Sequence, residues 1–102
     1  MKPETLTRWT IENAAELYGV RNWGAGYFDI SEKGEVVVRP KGKGCDITVG
    51  LMDIVAGLEA RGMNMPVLLR FGDILASRVE LLNSSFNKAI ADAGYKGLYR
   101  GV

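Results

Sequence analysis

The hydrophobic positions between residues 65 and 102 follow two patterns, a short apolar run and a helical stripe. Residues 66–71 are apolar except for Arg70, and turn residues bound them on both sides, which predicts a buried strand. The next apolar residues recur at steps of three and four until Gly94, which predicts a helix of about twenty residues. The stripe consists of Leu75, Val79, Leu82, Phe86, Ala89 and Ala93, widened by Ile74 and Ile90. Residues 98–102 are predicted to form a second strand, so the segment indicates a βαβ unit with a parallel sheet.

The first forty residues predict a short helix followed by a β-hairpin. Thr10 is expected to cap a helix of about two turns that ends at Gly19. Residues 20–26 are expected to form a loop, and residues 27–30 and 35–39 the two strands of the hairpin. Because an isolated hairpin is marginally stable in water, we expect it to join a larger antiparallel sheet.

A second helix is predicted between the hairpin and the βαβ unit. Thr48 is expected to cap it, and the helix is expected to run over residues 49–61 and to end at Gly62. The fold class is therefore α/β with an α+β front part. Because the chain ends inside the second predicted strand, we expect it to be the front of a larger α/β protein.

The charge balance gives no reason to expect nucleic acid or a membrane as a partner. Lys and Arg total 13 and Asp and Glu total 12, so the net charge is +1. No apolar run approaches the roughly 20 residues that cross a bilayer, and no signal-peptide pattern is present. Cys45 is the single cysteine, which excludes an intrachain disulfide and favours a cytoplasmic location.

The absence of histidine limits the chemistry that this chain could perform. It removes the commonest general base and the usual zinc ligand. No histidine can activate Cys45, which we interpret as an inert thiol. Any catalysis would depend on carboxylates, lysines, a cofactor or residues outside this chain.

Two glycine-containing loops have the composition of anion-binding loops. Gly24-Ala25-Gly26 lacks the third glycine of a dinucleotide-binding loop and precedes a strand, so we interpret it as a tight turn beside Trp23. Residues 41–44 (KGKG) could hold an anion with backbone amides, but we favour a flexible, solvated linker.

Arg70 and Asp73 are the candidate ligand-binding residues. They lie at the C-terminal end of the predicted strand, where parallel barrels place their active sites. They could bind an anion or a carboxylate, but we favour a structural ion pair or a helix cap by Asp73. Aromatic and basic residues near the C-terminus could form a nucleic-acid surface, although packing on neighbours is favoured by the balanced charge. These residues are Tyr95, Lys96, Tyr99 and Arg100.

Five stretches together resemble a known family. They are residues 9–18 (WTIENAAELY), 23–30 (WGAGYFDI), 33–38 (KGEVVV), 66–75 (PVLLRFGDIL) and 94–97 (GYKG). Apart from its first few residues, the chain resembles the N-terminal segment of biosynthetic arginine decarboxylase, and WGAGYFDI is the specific part. Gly50 and Gly72 stand where proline is common in the family, which loosens two helix starts without touching the chemistry.

The resemblance implies an enzyme dependent on pyridoxal phosphate that converts L-arginine to agmatine and carbon dioxide in polyamine biosynthesis, with magnesium. It implies a fold similar to alanine racemase and ornithine decarboxylase, with a TIM-type barrel and a β-domain. Residues 1–45 would belong to the β-domain, and residues 46–102 would supply a helix and the incomplete first βαβ unit of the barrel. The implied partners are the remainder of the enzyme chain and further copies in a homo-oligomer.

No catalytic, cofactor-binding or metal-binding residue transfers from the family to this chain. In the family the second barrel strand continues into a Tyr-Pro-Ile-Lys motif that holds the cofactor, whereas this chain ends at Val102, and Lys96 does not match. We therefore expect the chain alone to be inactive and to bind no cofactor. The alternative hypothesis is a small stand-alone α+β module for interaction or oligomerisation, without catalysis.

Overall fold

The structure, a computed structural model, describes residues 7–44 and 46–101 of the chain. These residues form an α+β fold with helices and a three-stranded antiparallel sheet. Its elements are α1 (Ile11–Tyr18), α2 (Val20–Gly24), β1 (Phe28–Ile30), β2 (Val36–Val38), β3 (Val49–Gly50), α3 (Leu51–Ala60) and α4 (Gly72–Ala93). The chain divides into a first unit that ends at Leu68 and a second unit that begins at Leu69.

Helix α1 begins and ends as predicted. Its N-cap is Thr10, whose hydroxyl oxygen accepts a hydrogen bond from the Asn13 N–H at 3.1 Å. The Asn13 side chain in turn accepts from the Thr10 N–H at 3.0 Å, so two amides of the first turn have partners. Gly19 ends the helix in the left-handed conformation, with φ of 63°.

The loop predicted for residues 20–26 is wrong, because most of it is the short helix α2. The carbonyl of Gly19 accepts hydrogen bonds from the amides of Asn22 at 2.9 Å and Trp23 at 3.1 Å. The left-handed turn at Gly19 therefore starts a new helical turn directly after α1. Five residues are too few to show an apolar periodicity, so the sequence pattern could not reveal this helix.

The predicted hairpin is confirmed, and a third strand enlarges its sheet. In the antiparallel pair β1–β2, Phe28 lies opposite Val38 and Ile30 lies opposite Val36. Strand β3 pairs with the other edge of β2, with Val49 opposite Val38. The expectation that the hairpin joins a larger antiparallel sheet is therefore confirmed.

The predicted start of the second helix is wrong. The expectation was a cap at Thr48 and a helix from residue 49, but Val49 and Gly50 pair with β2 and α3 begins at Leu51. Gly50 is the N-cap and provides no side-chain hydrogen bond. Valine is a β-branched residue that favours a pleated strand, and here its pairing with β2 takes precedence over the helical pattern.

The described part of the second unit contains α4 but no strand. Residues 66–71 and 98–101 are not assigned to a strand, so the described residues do not confirm the predicted βαβ unit, which stays a prediction. Val102 lies outside them. A strand needs a neighbouring strand to bind its backbone amides and carbonyls. In residues 66–71 the two-residue period of a strand is seen only in the alternating exposure of the side chains. Val67 and Leu69 are half-buried, whereas Leu68 is 78% exposed.

Helix α4 matches the predicted helix, but its apolar stripe is exposed. The helix ends at Gly94, whose φ is 64°, as expected. Leu75 is 69% exposed and Leu82 is 56% exposed. The Tyr99 ring stacks on Phe86 with ring centres 4.8 Å apart. Among the described helices none has the length and apolar character needed to cross a membrane.

The hydrophobic core of the first unit is small and centres on the sheet. Its buried apolar residues are Ala15, Val20, Tyr27 and Val38. Val20 is 2% exposed and Val38 has no exposed surface. The core therefore joins α1 and α2 to the hairpin.

Replacing Val38 by alanine is expected to lower the free energy of unfolding of the first unit by about 2 kcal/mol, because it leaves a cavity at a fully buried site. Urea denaturation followed by far-UV circular dichroism measures this loss. Val36→Ala, on the same strand but half-buried, is the control and is expected to cost about half as much. Equal losses for the two variants would contradict a core centred on Val38.

Candidate functional site

Residues 23–30, the WGAGYFDI segment, form a packed corner between α2 and β1; we call them the corner. The indole N–H of Trp23 donates to the Tyr18 carbonyl at 2.9 Å, which fixes the ring against the end of α1. The Trp23 and Phe28 rings lie 5.4 Å apart, a favourable distance for a tilted aromatic pair. A Cβ atom at Gly24 would lie 3.0 Å from the Cβ of Phe28, so only glycine fits there without movement.

The turn of the corner depends on left-handed backbone at two successive residues. Ala25 has φ of 51° and Gly26 has φ of 85°. The Tyr27 N–H donates to the Gly24 carbonyl at 2.8 Å, which closes the turn. These contacts confirm that the glycine pair forms a tight turn beside Trp23.

A cluster of four charged side chains lies behind the corner; we call Glu12, Arg21, Asp29 and Arg39 the charged cluster. Asp29 is its centre and accepts from Arg39 Nη1 at 3.1 Å. Arg21 Nε lies 3.7 Å from the Asp29 carboxylate. The Arg21 guanidinium also donates to both carboxylate oxygens of Glu12, with 2.8 Å from Nη2 to Oε1. The charged cluster thus links α1, α2 and the hairpin.

Asp29 keeps its charge despite partial burial. The side chain is 22% exposed, and this burial by itself raises the pKa of the carboxyl. The hydrogen bond from the Ile30 N–H, at 2.8 Å, and the charges of Arg39 and Arg21 outweigh burial, so the pKa of Asp29 lies below its usual value. At neutral pH the carboxylate is ionised and engaged by its neighbours.

Glu12 has a lowered pKa for a simpler reason. The hydrogen bond from Arg21 is the main cause, the positive charge of Arg21 adds to it, and the negative charge of Asp29 opposes it. Arg21 therefore divides its guanidinium between two carboxylates. This arrangement is typical of a structural ion-pair network, in which each charge already has a partner.

A hollow of about 170 Å³ opens beside the charged cluster. It is lined by Arg21, Gly26, Phe28, Asp29, Arg39 and Lys43. The guanidinium groups of Arg21 and Arg39 both lie against the Asp29 carboxylate. This carboxylate therefore occupies the position where an external anion would bind the two arginines. The charged side chains of Arg21, Asp29 and Arg39 in the hollow are therefore arranged as a structural ion-pair network.

Sequence reasoning did not identify the charged cluster, although one signal was available. Asp29 lies opposite Val37, two residues from Arg39 on the same face of the hairpin, and such diagonal neighbours are within reach of a long side chain. The contribution of Arg21 could not be predicted in this way. It depends on the left-handed turn at Gly19, which places α2 against β1.

The two candidate ligand residues, Arg70 and Asp73, are exposed and do not form an ion pair in the part of the chain described. The proposed helix cap is wrong, because Phe71 is the N-cap and Asp73 lies inside the first turn of α4. An acidic residue there still interacts favourably with the helix dipole. Arg70 lines a hollow of about 390 Å³ beside the start of α4, and a ligand role for these residues stays a prediction.

The remaining sequence candidates have structural surroundings or lie outside the described residues. Gly42 is buried against the Tyr27 ring and donates to the Arg39 carbonyl at 2.9 Å, so the linker interpretation of residues 41–44 is wrong at this position. Tyr99 packs on Phe86, as the packing interpretation expected. Cys45 falls outside the described residues.

The described residues do not contain a group of three or more His, Cys, Asp or Glu side chains that could hold a metal ion. Their lysines are all exposed, whereas a lysine that holds a cofactor as an imine lies in an enclosed site. These lysines are Lys33, Lys41, Lys43, Lys88 and Lys96. The described side chains therefore do not fit pyridoxal phosphate or a metal ion.

Known proteins similar to this chain are named biosynthetic arginine decarboxylase. The chain is 48% identical over 94 residues to the one from Gloeobacter violaceus, which is 92% of this chain and 14% of that protein. It is 45% identical over 96 residues to that of Thermosynechococcus vestitus, and 42% identical over 94 residues to that of Chromobacterium violaceum, with 94% and 92% of this chain covered and 15% of each relative. No family profile and no solved structure matches the chain.

These comparisons confirm the resemblance to the N-terminal segment of biosynthetic arginine decarboxylase. The chain spans only about 14% of the length of the relatives that it matches. The similarity extends over the corner, the charged cluster and α4 alike, because it covers more than nine-tenths of the chain.

Asp29→Asn is expected to lower the free energy of unfolding at pH 7 by about 1 kcal/mol, because it removes the charge from a partly buried ion pair. The folded-state pKa of Asp29 is lowered, so its ionised form stabilises the fold above about pH 4, and this contribution is lost as the pH falls through the folded pKa. Urea denaturation between about pH 2 and pH 7 should therefore show a flatter profile for the variant than for the unsubstituted chain. Glu32→Gln, in the exposed hairpin turn, is the control and should leave the profile unchanged.

Gly26→Ala is expected to destabilise the first unit by about 1–2 kcal/mol, because alanine is strained at positive φ. The added Cβ would also lie 3.3 Å from the Cβ of Lys43. Gly57→Ala is the matched control, since Gly57 lies inside α3 with open space around it. It is expected to stabilise the chain by about 0.5–1 kcal/mol. Thermal unfolding of both variants measures the difference in their stability. A change of melting temperature with the same sign in Gly26→Ala and Gly57→Ala would contradict the turn described here.

Proposed function

We propose that this chain, a relative of biosynthetic arginine decarboxylases over nearly its whole length, forms a structural part of an enzyme that converts L-arginine to agmatine and carbon dioxide. The observation that carries the proposal is the identity of 41–48% to proteins of that name across more than nine-tenths of the chain. The longer enzyme would depend on pyridoxal phosphate, would use magnesium and would serve polyamine synthesis in the cytoplasm.

The contribution of this segment would be structural support. The side chains of the charged cluster are engaged with each other, as Asp29 binds Arg39 and Arg21 binds Glu12. These pairs connect the sheet with two helices, which supports a structural role. The corner would then serve the enzyme by setting the path of the chain from α2 into β1.

The chemistry would be supplied by residues elsewhere in the longer enzyme. The described lysines are exposed, and no group of three or more metal-binding side chains lies among the described residues. We therefore derive no catalytic step from these residues. Arg70, beside the apolar hollow at the start of α4, would be the described residue to test first for a ligand role.

The domain assignment belongs to the same proposal. Residues 1–45 would be part of a β-domain, and residues 46–102 would begin a TIM-type barrel. Residues 66–71 would become the first barrel strand only when further strands pair with them, because an unpaired strand leaves its amides and carbonyls without partners. Their alternating exposure supports this proposal, since it has the period of a strand.

A second candidate function, an interaction module without catalysis, is favoured by one observation. The apolar stripe of α4 is exposed over most of its length, with Leu75 at 69% and Phe86 at 49%. Exposed apolar surface of this kind commonly marks a binding surface. The two candidates are compatible, because a segment of a large enzyme can also associate.

A chimera tests the proposed function. The aligned 94 residues of the Gloeobacter violaceus protein are replaced by those of this chain, and release of carbon dioxide from L-arginine is measured. We expect the chimera to remain active, because the replaced segment supplies support and the rest of the protein supplies the chemistry.

Two further chimeras act as controls. Adding Asp29→Ala is expected to lower the thermal stability of the chimera, whereas Glu32→Gln in the exposed turn is expected to leave stability and activity unchanged. A chimera that folds and assembles like its parent but releases no carbon dioxide would contradict the proposal.

A further inference from the structure

We draw no further inference here: the strongest candidate, the hollow of about 170 Å³ that Lys43 borders beside the charged cluster, belongs to the site already described, because the Asp29 carboxylate occupies the position where an anion would bind Arg21 and Arg39.

Discussion

The carboxylate of Asp29 is the polar group that connects the most elements of the first unit. It accepts from its neighbour's amide at Ile30, from Arg39 after β2, and it attracts Arg21 in α2. Arg21 then reaches Glu12 in α1. One carboxylate on a three-residue strand thereby connects the helices to the hairpin, in a unit where only a few side chains are fully buried. With so little apolar burial, the orientation of the helices relies on these directional contacts.

The corner gives a structural account of the most specific part of the resemblance. Trp23 and Phe28 pack together, Gly24 allows their close approach, and Gly26 allows the turn. Tyr27 is buried and Asp29 holds the arginines. Six of the eight residues in the segment thus have a physical reason in the packing of the fold. A segment can therefore identify a family of enzymes through its scaffold while the reacting groups lie elsewhere.

The sequence predicted those elements whose signals are local. The helical spacing of the apolar residues and the terminal Gly94 located α4, and the capping residues Thr10 and Gly19 located α1. In both helices the propensity, capping and periodicity signals predict the same element. Strand β3 was missed because two residues carry no alternation, and its formation depends on a partner in β2. Residues 66–71 have the composition of a strand but are not assigned to a strand in the described structure. A strand pattern in the sequence therefore indicates that a segment can pair with another strand. Whether it does so depends on residues that are distant in sequence.

The placement of the aromatic residues has a consequence for following the two units separately. Trp9 and Trp23, the two tryptophans of the chain, both lie in the first unit, whereas the second unit contains only phenylalanine and tyrosine. Intrinsic tryptophan emission therefore reports the unfolding of the first unit alone. The helical circular dichroism signal comes from both units, because α4, with 22 residues, supplies about half of the helical residues described. The two optical signals together thus distinguish a chain that unfolds as one cooperative body from one whose halves unfold independently.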